Sequence, residues 1–196
     1  MNHESIRNKK LIFHLTALEN MGGIFSHGLQ PRAKVKPCLD IADHEILTKR
    51  GVAHLENYVP FHFFVKNPFD GAVIKAHSNT IFVYLSVLRE EAKNHGFFIL
   101  PKHPLSDNDE FELFKYEEGF KKINWLLMDK RDYTDKECKN VCMAECLSKS
   151  YVPLSLVHSI AVPNERALNK INSLKEKYSN GYNGHINLKP YWFPRV

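Results

Sequence analysis

The sequence predicts an α+β fold in a single domain spanning residues 1–196, and three observations carry that reading. Short runs rich in β-branched and aromatic residues mix with helical periodicities in no regular order, so the rhythm of a doubly wound parallel sheet is missing. A length of 196 residues with 43% hydrophobic side chains is enough to bury one full core. No repeat, linker or low-complexity stretch divides the chain.

Taken in order, residues 11–15 form an apolar run that reads as a buried strand, with His14 and Thr16 on one face at its end by the two-residue period. Leu18, Met21, Ile24 and Phe25 then recur at helical spacing, and Gly28 stops that helix. On these residues alone His14 reads as a core histidine and Thr16 as a helix cap. Residues 30–43, with Pro31 and Pro37, read as an irregular connection, and 43–50 as a short helix breaking at Gly51. Residues 58–65 are the most strand-like stretch, although Pro60 confines it to a strand start, an edge or a bulge.

Residues 81–88 read as a buried strand running into a helix through 90–95, and 97–100 as a strand closed by Pro101. Residues 101–109 are polar and proline-rich, a loop. Phe111, Phe114, Phe120 and Trp125 then mark a helical return to the core. Residues 158–162 read as a short strand, 164–178 as an amphipathic helix with Leu168, Ile171 and Leu174 inward, and 186–193 as a last strand.

The stretch 134–153 predicts a helix. Thr134 followed three residues later by Glu137 is a capping-box pattern, and Pro153 must end the helix. Cys138, Val141 and Cys142 fall on one stripe, and the next position of that stripe is Glu145. A carboxylate on an inward stripe is costly unless it is paired or employed. Read alone, the pattern is met by a salt-bridged glutamate at the edge of the buried face as well as by a catalytic acid.

Composition narrows the function classes. A formal charge of +5 with 11 histidines leans towards a polyanionic partner, as it does in many ordinary enzymes. Of the cysteines, Cys138, Cys142 and Cys146 sit one helical turn apart, which does not make a disulfide framework, and no CxxC pair supports zinc. No metal is therefore expected. The N-terminal segment lacks an apolar signal core and no apolar run is long enough to span a bilayer, so a cytoplasmic protein with no membrane partner is expected. The common phosphate-cradling glycine loops, the GxSxG elbow and HExxH are all missing from the sequence.

Four segments together resemble the DarT family of bacterial ADP-ribosyltransferase toxins, which use NAD to modify single-stranded DNA. They are FHLTALENMGGIFSHGL from Phe13, Arg50 with LENYVPFHF from Leu55, FFILPKH from Phe97 before an aromatic-rich helix, and MAECLSKSYVPLSLVHSIAV from Met143. Their order and spacing hold over roughly residues 11–165. One departure is that Val141, Cys142 and Met143 stand before Ala144 and Glu145, where the family often has arginines.

The resemblance implies an ADP-ribosyltransferase fold, with two packed β-sheets as a split sandwich, surrounding helices and NAD in the cleft. By position it implies that His14, Thr16 and Asn20 grip NAD and that Arg50 fixes it and shapes the reactive geometry. It implies further that His103, in the loop after residue 100, contacts the target base and that Glu145 is the catalytic glutamate. Lys34, Lys36, Lys49 and Lys102 would join Arg50 along a nucleic-acid backbone path, each with a plain solvated face as its alternative. The implied acceptor is a base in single-stranded DNA, thymine first and guanine next. The implied setting is a monomeric toxin of a toxin–antitoxin or phage-defence system, opposed by a DarG-like macrodomain antitoxin. Two alternatives stay open on the sequence: transfer to RNA or protein, and a catalytically silent NAD- or nucleic-acid-binding module.

Overall fold

A computed structural model describes residues 4–35, 55–103, 112–178 and 182–193. Its strands in chain order are β1 (Leu11–Ala17), β2 (Val59–His62), β3 (Phe82–Leu88), β4 (Phe98–Leu100), β5 (Phe114–Lys115), β6 (Glu145–Ser148), β7 (Val157–Val162) and β8 (His185–Leu188). The helices are α1 (Met21–His27), α2 (Pro68–Ala76), α3 (Arg89–Asn94), α4 (Tyr116–Lys122), α5 (Trp125–Lys130), α6 (Lys136–Val141) and α7 (Glu165–Lys177). The class is α+β, as the mixed periodicities predict. All strand pairs are antiparallel except β7 with β8, which run parallel on either side of the α7 crossover.

The expected detail of two separate packed sheets is not confirmed. The strands hydrogen-bond into one eight-stranded sheet in the order β5-β4-β6-β2-β1-β3-β7-β8. What divides it is the β1–β2 join. β1 matches β3 along seven residue pairs, but its register with β2 consists of the single pair Phe13–His62. Residue Pro60 has no N–H for a ladder, and its carbonyl accepts a hydrogen bond from the His14 ring at 2.8 Å. A side chain thus takes the place of a rung, and the sheet is open beside it.

Alternation sends most strand residues to two cores, while Leu100 and Leu147 join Leu55 in a third, small cluster. The larger core holds Ile12, Phe61, Leu85, Ile99, Cys146 and Ile160, covered by Phe25, Trp125, Met128 and Ile171 from the helices. The smaller holds Leu15, Phe82, Tyr84, Ala161 and Phe193, with Phe13, Phe69 and Trp192 against it.

A buried arginine ties the opening together. Arg89 donates to the carbonyls of Arg7 (3.0 Å), Leu11 (3.2 Å) and Phe63 (3.2 Å), reaching β1 and the turn after β2 at once. Its guanidinium also lies over the rings of Phe63, Phe120 and Trp125 at 5.1–5.9 Å. Burial pushes it down to about 10, so it stays cationic at neutral pH.

Several expected boundaries shift for local reasons. The stretch predicted as a strand over 58–65 pairs only from Val59 to His62, and the chain turns at Lys66, whose φ is 60°. Helix α2 is not predicted by the sequence pattern; Asn67 caps it by accepting from the Asp70 N–H, with Pro68 in the first turn. The last strand stops at Leu188 and a 3-10 turn follows over Pro190–Trp192. Gly28 ends α1 as predicted: its φ is 75°, and a Cβ there would sit 2.6 Å from the Val152 carbonyl oxygen. The helix expected over 43–50 lies outside the described residues, as does 104–109 of the expected loop.

The largest correction concerns 134–153. The helix is only α6, because Asp135 rather than Thr134 caps it, accepting from the N–H groups of Glu137 and Cys138. Thr134 instead donates its hydroxyl to Asp132 at 2.6 Å. The predicted stripe Cys138, Val141 and Cys142 is helical up to its cap at Cys142, and all three are buried. The chain then tightens through two backbone bonds, Met143 to Asn140 and Ala144 to Val141, and leaves as β6. Glu145 is therefore the first residue of a central strand, not the fourth step of a helical stripe.

Candidate active site

Glu145 is 3% exposed and lies between two strands, as the Cα partner of His62 in β2 and of Leu100 in β4. Directly opposite residues share a face of the sheet, so the Glu145 and His62 side chains stand on the same side. His62 is buried, packs with its ring tilted at 5.2 Å from that of Phe69, and donates through Nδ1 to the Ala144 carbonyl at 3.2 Å. A carbonyl only accepts, which fixes the proton on Nδ1. That bond holds the peptide leading into Glu145.

His103 stands close to the same strand ends. The chain leaves β4 one residue after the partner of Glu145, and the His103 N–H donates to the Asn140 carbonyl at 3.0 Å. The loop expected to meet a substrate is thereby tied to the helix end that precedes the glutamate.

His14 and Thr16 occupy the other face of β1. The His14 ring lies 5.7 Å from that of Phe61, and its Nδ1 proton goes to Pro60 at the open join. Burial lowers its pKa, with the Pro60 hydrogen bond acting the other way, so the ring is neutral near pH 7 and Nε2 is an acceptor. Asn20, at the start of α1, donates to the Thr16 hydroxyl at 3.3 Å. A neutral imidazole acceptor beside hydroxyl and amide groups suits sugar hydroxyls.

The expected residues therefore form two groups. His14, Thr16 and Asn20 make one, and Glu145 with the His103 loop makes the other. The link is the join: Phe13, the neighbour of His14, pairs with His62, and His62 pairs with Glu145. Two strand spacings, about 10 Å, separate the β1 and β6 backbones there. Arg50 lies outside the described residues. Sequence reasoning missed His62, although VPFHF places a polar residue out of phase with Phe61 and Phe63, a period-two signal that it faces away from them. It also missed Arg89, which follows a strand and looks like an ordinary first-turn cation. Among the described residues no group of three or more His, Cys, Asp or Glu side chains could hold a metal ion, and no helix is long and apolar enough to cross a membrane.

Comparison with known proteins bears on the whole chain. A family model described as "ssDNA thymidine ADP-ribosyltransferase, DarT" matches residues 13–194. Among solved structures, DarT from Thermus sp. 2.9 in complex with ADP-ribosylated ssDNA superposes with a TM-score of 0.79 at 18% identity, over 94% of this chain and 96% of that one. The same Thermus protein in complex with NAD+ gives 0.76 at 17% identity, over 95% and 98%. Thermosipho africanus DarTG in complex with ADP-ribose gives 0.70 at 19% identity, over 94% of this chain and 51% of that one. At such identities the likeness establishes the fold, which is that of the DarT structures. A search of curated proteins gives no match.

Proposed function

The chain belongs to the DarT family of single-stranded-DNA thymidine ADP-ribosyltransferases, and we propose that it transfers ADP-ribose from NAD to a thymine base of single-stranded DNA. The observation that carries the site is Glu145, a buried carboxylate opening an inner strand two strand spacings from the β1 backbone, with the neutral His14 on the opposite face of β1 at the open join.

NAD supplies the ADP-ribosyl group, whose bond to nicotinamide breaks as a base nitrogen bonds to the anomeric carbon. Positive charge develops at that carbon, as in glycoside hydrolysis. Glu145 hydrogen-bonds the ribose hydroxyls and stabilises that charge electrostatically. It then takes the proton that the base nitrogen loses. His14 through Nε2, Thr16 through its hydroxyl and Asn20 through its amide hold the sugar end. Arg50 holds the pyrophosphate, work suited to a permanent charge with a rigid fork. His103 contacts the base, and Lys34, Lys36, Lys49 and Lys102 follow the strand's backbone. A duplex hides the base edge that must be reached, which favours a single strand.

In this reading the protein is a monomeric cytoplasmic toxin, one domain over 1–196, countered by a DarG-like macrodomain antitoxin. The test is to incubate it with NAD and, separately, a mixed-sequence DNA oligonucleotide, its RNA counterpart, the annealed duplex and a protein mixture. Digestion to nucleosides followed by mass spectrometry identifies the acceptor. ADP-ribosyl thymidine from the single strand alone is the expected product. A guanosine adduct would correct the base, an RNA or protein adduct the acceptor class, and no NAD turnover would leave a silent binding module.

A further inference from the structure

We propose that Tyr191, with Lys66 and Lys189, forms a second binding surface for single-stranded DNA that holds nucleotides flanking the modified base; the inference rests on the function proposed above. The turn over Pro190–Trp192 sits on the face of the sheet that carries Glu145 and His62. Trp192 is its anchor, packed edge-on to Phe13 at 5.6 Å and to Tyr84 at 6.3 Å. Phe13 is the Cα partner of His62, which is the Cα partner of Glu145.

Beyond that anchor, Tyr191 presents a large aromatic side chain that is 64% exposed. Its ring is 6.4 Å from that of Trp192. Two cations lie close to this residue. The Lys66 ammonium donates to the Tyr191 carbonyl at 3.1 Å, and the Lys189 ammonium lies 5.8 Å from the ring centroid. Among the described residues, neither lysine has a carboxylate within ion-pair distance.

Lys66 is also one of two non-glycine residues with positive φ among those described, at 60°. That conformation is uncommon for a lysine and is held by its N–H bond to the Tyr84 hydroxyl at 3.2 Å. An exposed aromatic ring with cations close by is the combination that binds single-stranded nucleic acid: bases stack on the ring and phosphates meet the charges. The surface is built from the Pro190–Trp192 turn and the turn after β2.

From Glu145 to Tyr191 the path is two strand spacings, about 10 Å, and two ring-to-ring steps of 5.6 and 6.4 Å. A strand seated with its target base at Glu145 reaches Tyr191 within a few nucleotides, inside the roughly 4–16 nucleotides that a single-strand groove holds.

The experiment compares Tyr191→Ala and the double variant Lys66→Gln, Lys189→Gln with the wild type, on thymine-containing oligonucleotides from three to twelve nucleotides long. For the wild type, KM falls as the oligonucleotide lengthens. For Tyr191→Ala, the expected result is about a tenfold rise in KM on the longest oligonucleotide and no change on the shortest. For the lysine variant, the slope of log KM against log salt falls by about 0.7 for each phosphate that is no longer neutralised. Turnover of NAD without DNA stays at the wild-type rate. A wild-type length dependence reproduced unchanged in both variants would overturn the inference. Failure of the wild type to modify any oligonucleotide would instead overturn the function on which it rests.

Discussion

Glu145 and His62 are Cα partners across the β2–β6 ladder, and His62 donates through Nδ1 to the carbonyl of Ala144, one residue before the glutamate. The neighbouring strand thus fixes the backbone from which the carboxylate projects. His62→Ala leaves that carbonyl without the imidazole donor and is expected to lower unfolding free energy by about 1–3 kcal/mol, read by urea denaturation. It should also reduce the transfer rate by ten- to a hundredfold, since small displacements of a reacting group are costly. His62→Gln, which keeps a donor, should recover most of the loss. An unchanged rate in both variants would separate His62 from the site.

The next residue pair along gives a pH dependence. Phe69 packs against His62, and Asp70 beside it is buried, accepting from the Tyr84 hydroxyl and the Asn67 amide at 2.9 Å each. Burial pushes the Asp70 carboxyl up to about 7, against the hydrogen bonds that favour its charged form. Between about 4 and 7 the folded protein therefore holds a proton that the unfolded chain has released. Stability contributed by this group falls as pH rises through that window and levels off above it. Asp70→Asn should flatten the fall, gaining on the wild type by a few kcal/mol, to order of magnitude, between pH 5 and pH 8. Urea midpoints at the two pH values check the sign.

Arg89 is the strongest candidate for a single structural failure. It satisfies three carbonyls on two sides of the open join while its fork lies among three aromatic rings. Lysine keeps the charge but cannot reproduce the planar fork. Arg89→Lys is expected to cost at least about 2 kcal/mol through the loss of charged hydrogen bonds and stacking, measured by thermal and urea unfolding. A variant as stable as the wild type would show that the join does not depend on this side chain.

His103 tests the loop assignment. His103→Ala removes the side chain and leaves its backbone bond to Asn140 in place. The expected effect is a rise of tenfold or more in oligonucleotide KM with NAD turnover in the absence of DNA unchanged. Equal loss of both activities would place His103 on the NAD side instead.

How much of this was legible from sequence depends on whether the cause is local. The strands at 11–15 and 81–88 and the helix of 164–178 emerge from period and composition, and the structure has them within two residues. Gly28 was legible because left-handed backbone at a helix end is a local demand. The 134–153 stretch misled because Cys138, Val141 and Cys142 do lie on a helix, and their spacing extends numerically to Glu145. What ends the helix early is tertiary: the 145–148 backbone finds β2 on one side and β4 on the other. Glu145 was singled out as an unusual buried carboxylate, but its supporting residue was hidden. His62 sits between Phe61 and Phe63, and its partner lies 83 positions away in sequence, from 62 to 145. The division of the sheet was likewise illegible, since it rests on a hydrogen bond between His14 and Pro60, 46 residues apart.

The most direct measurement is the intact mass of a single-stranded oligonucleotide with one thymine, incubated with NAD and either the wild type or Glu145→Gln. Glutamine keeps the size of the side chain and removes its charge and its capacity to take a proton. The account predicts one added ADP-ribose on the wild-type product, and initial rates for the variant lower by at least about two orders of magnitude, with the two proteins equally folded by circular dichroism. An adduct formed at the wild-type rate by the folded variant would contradict it.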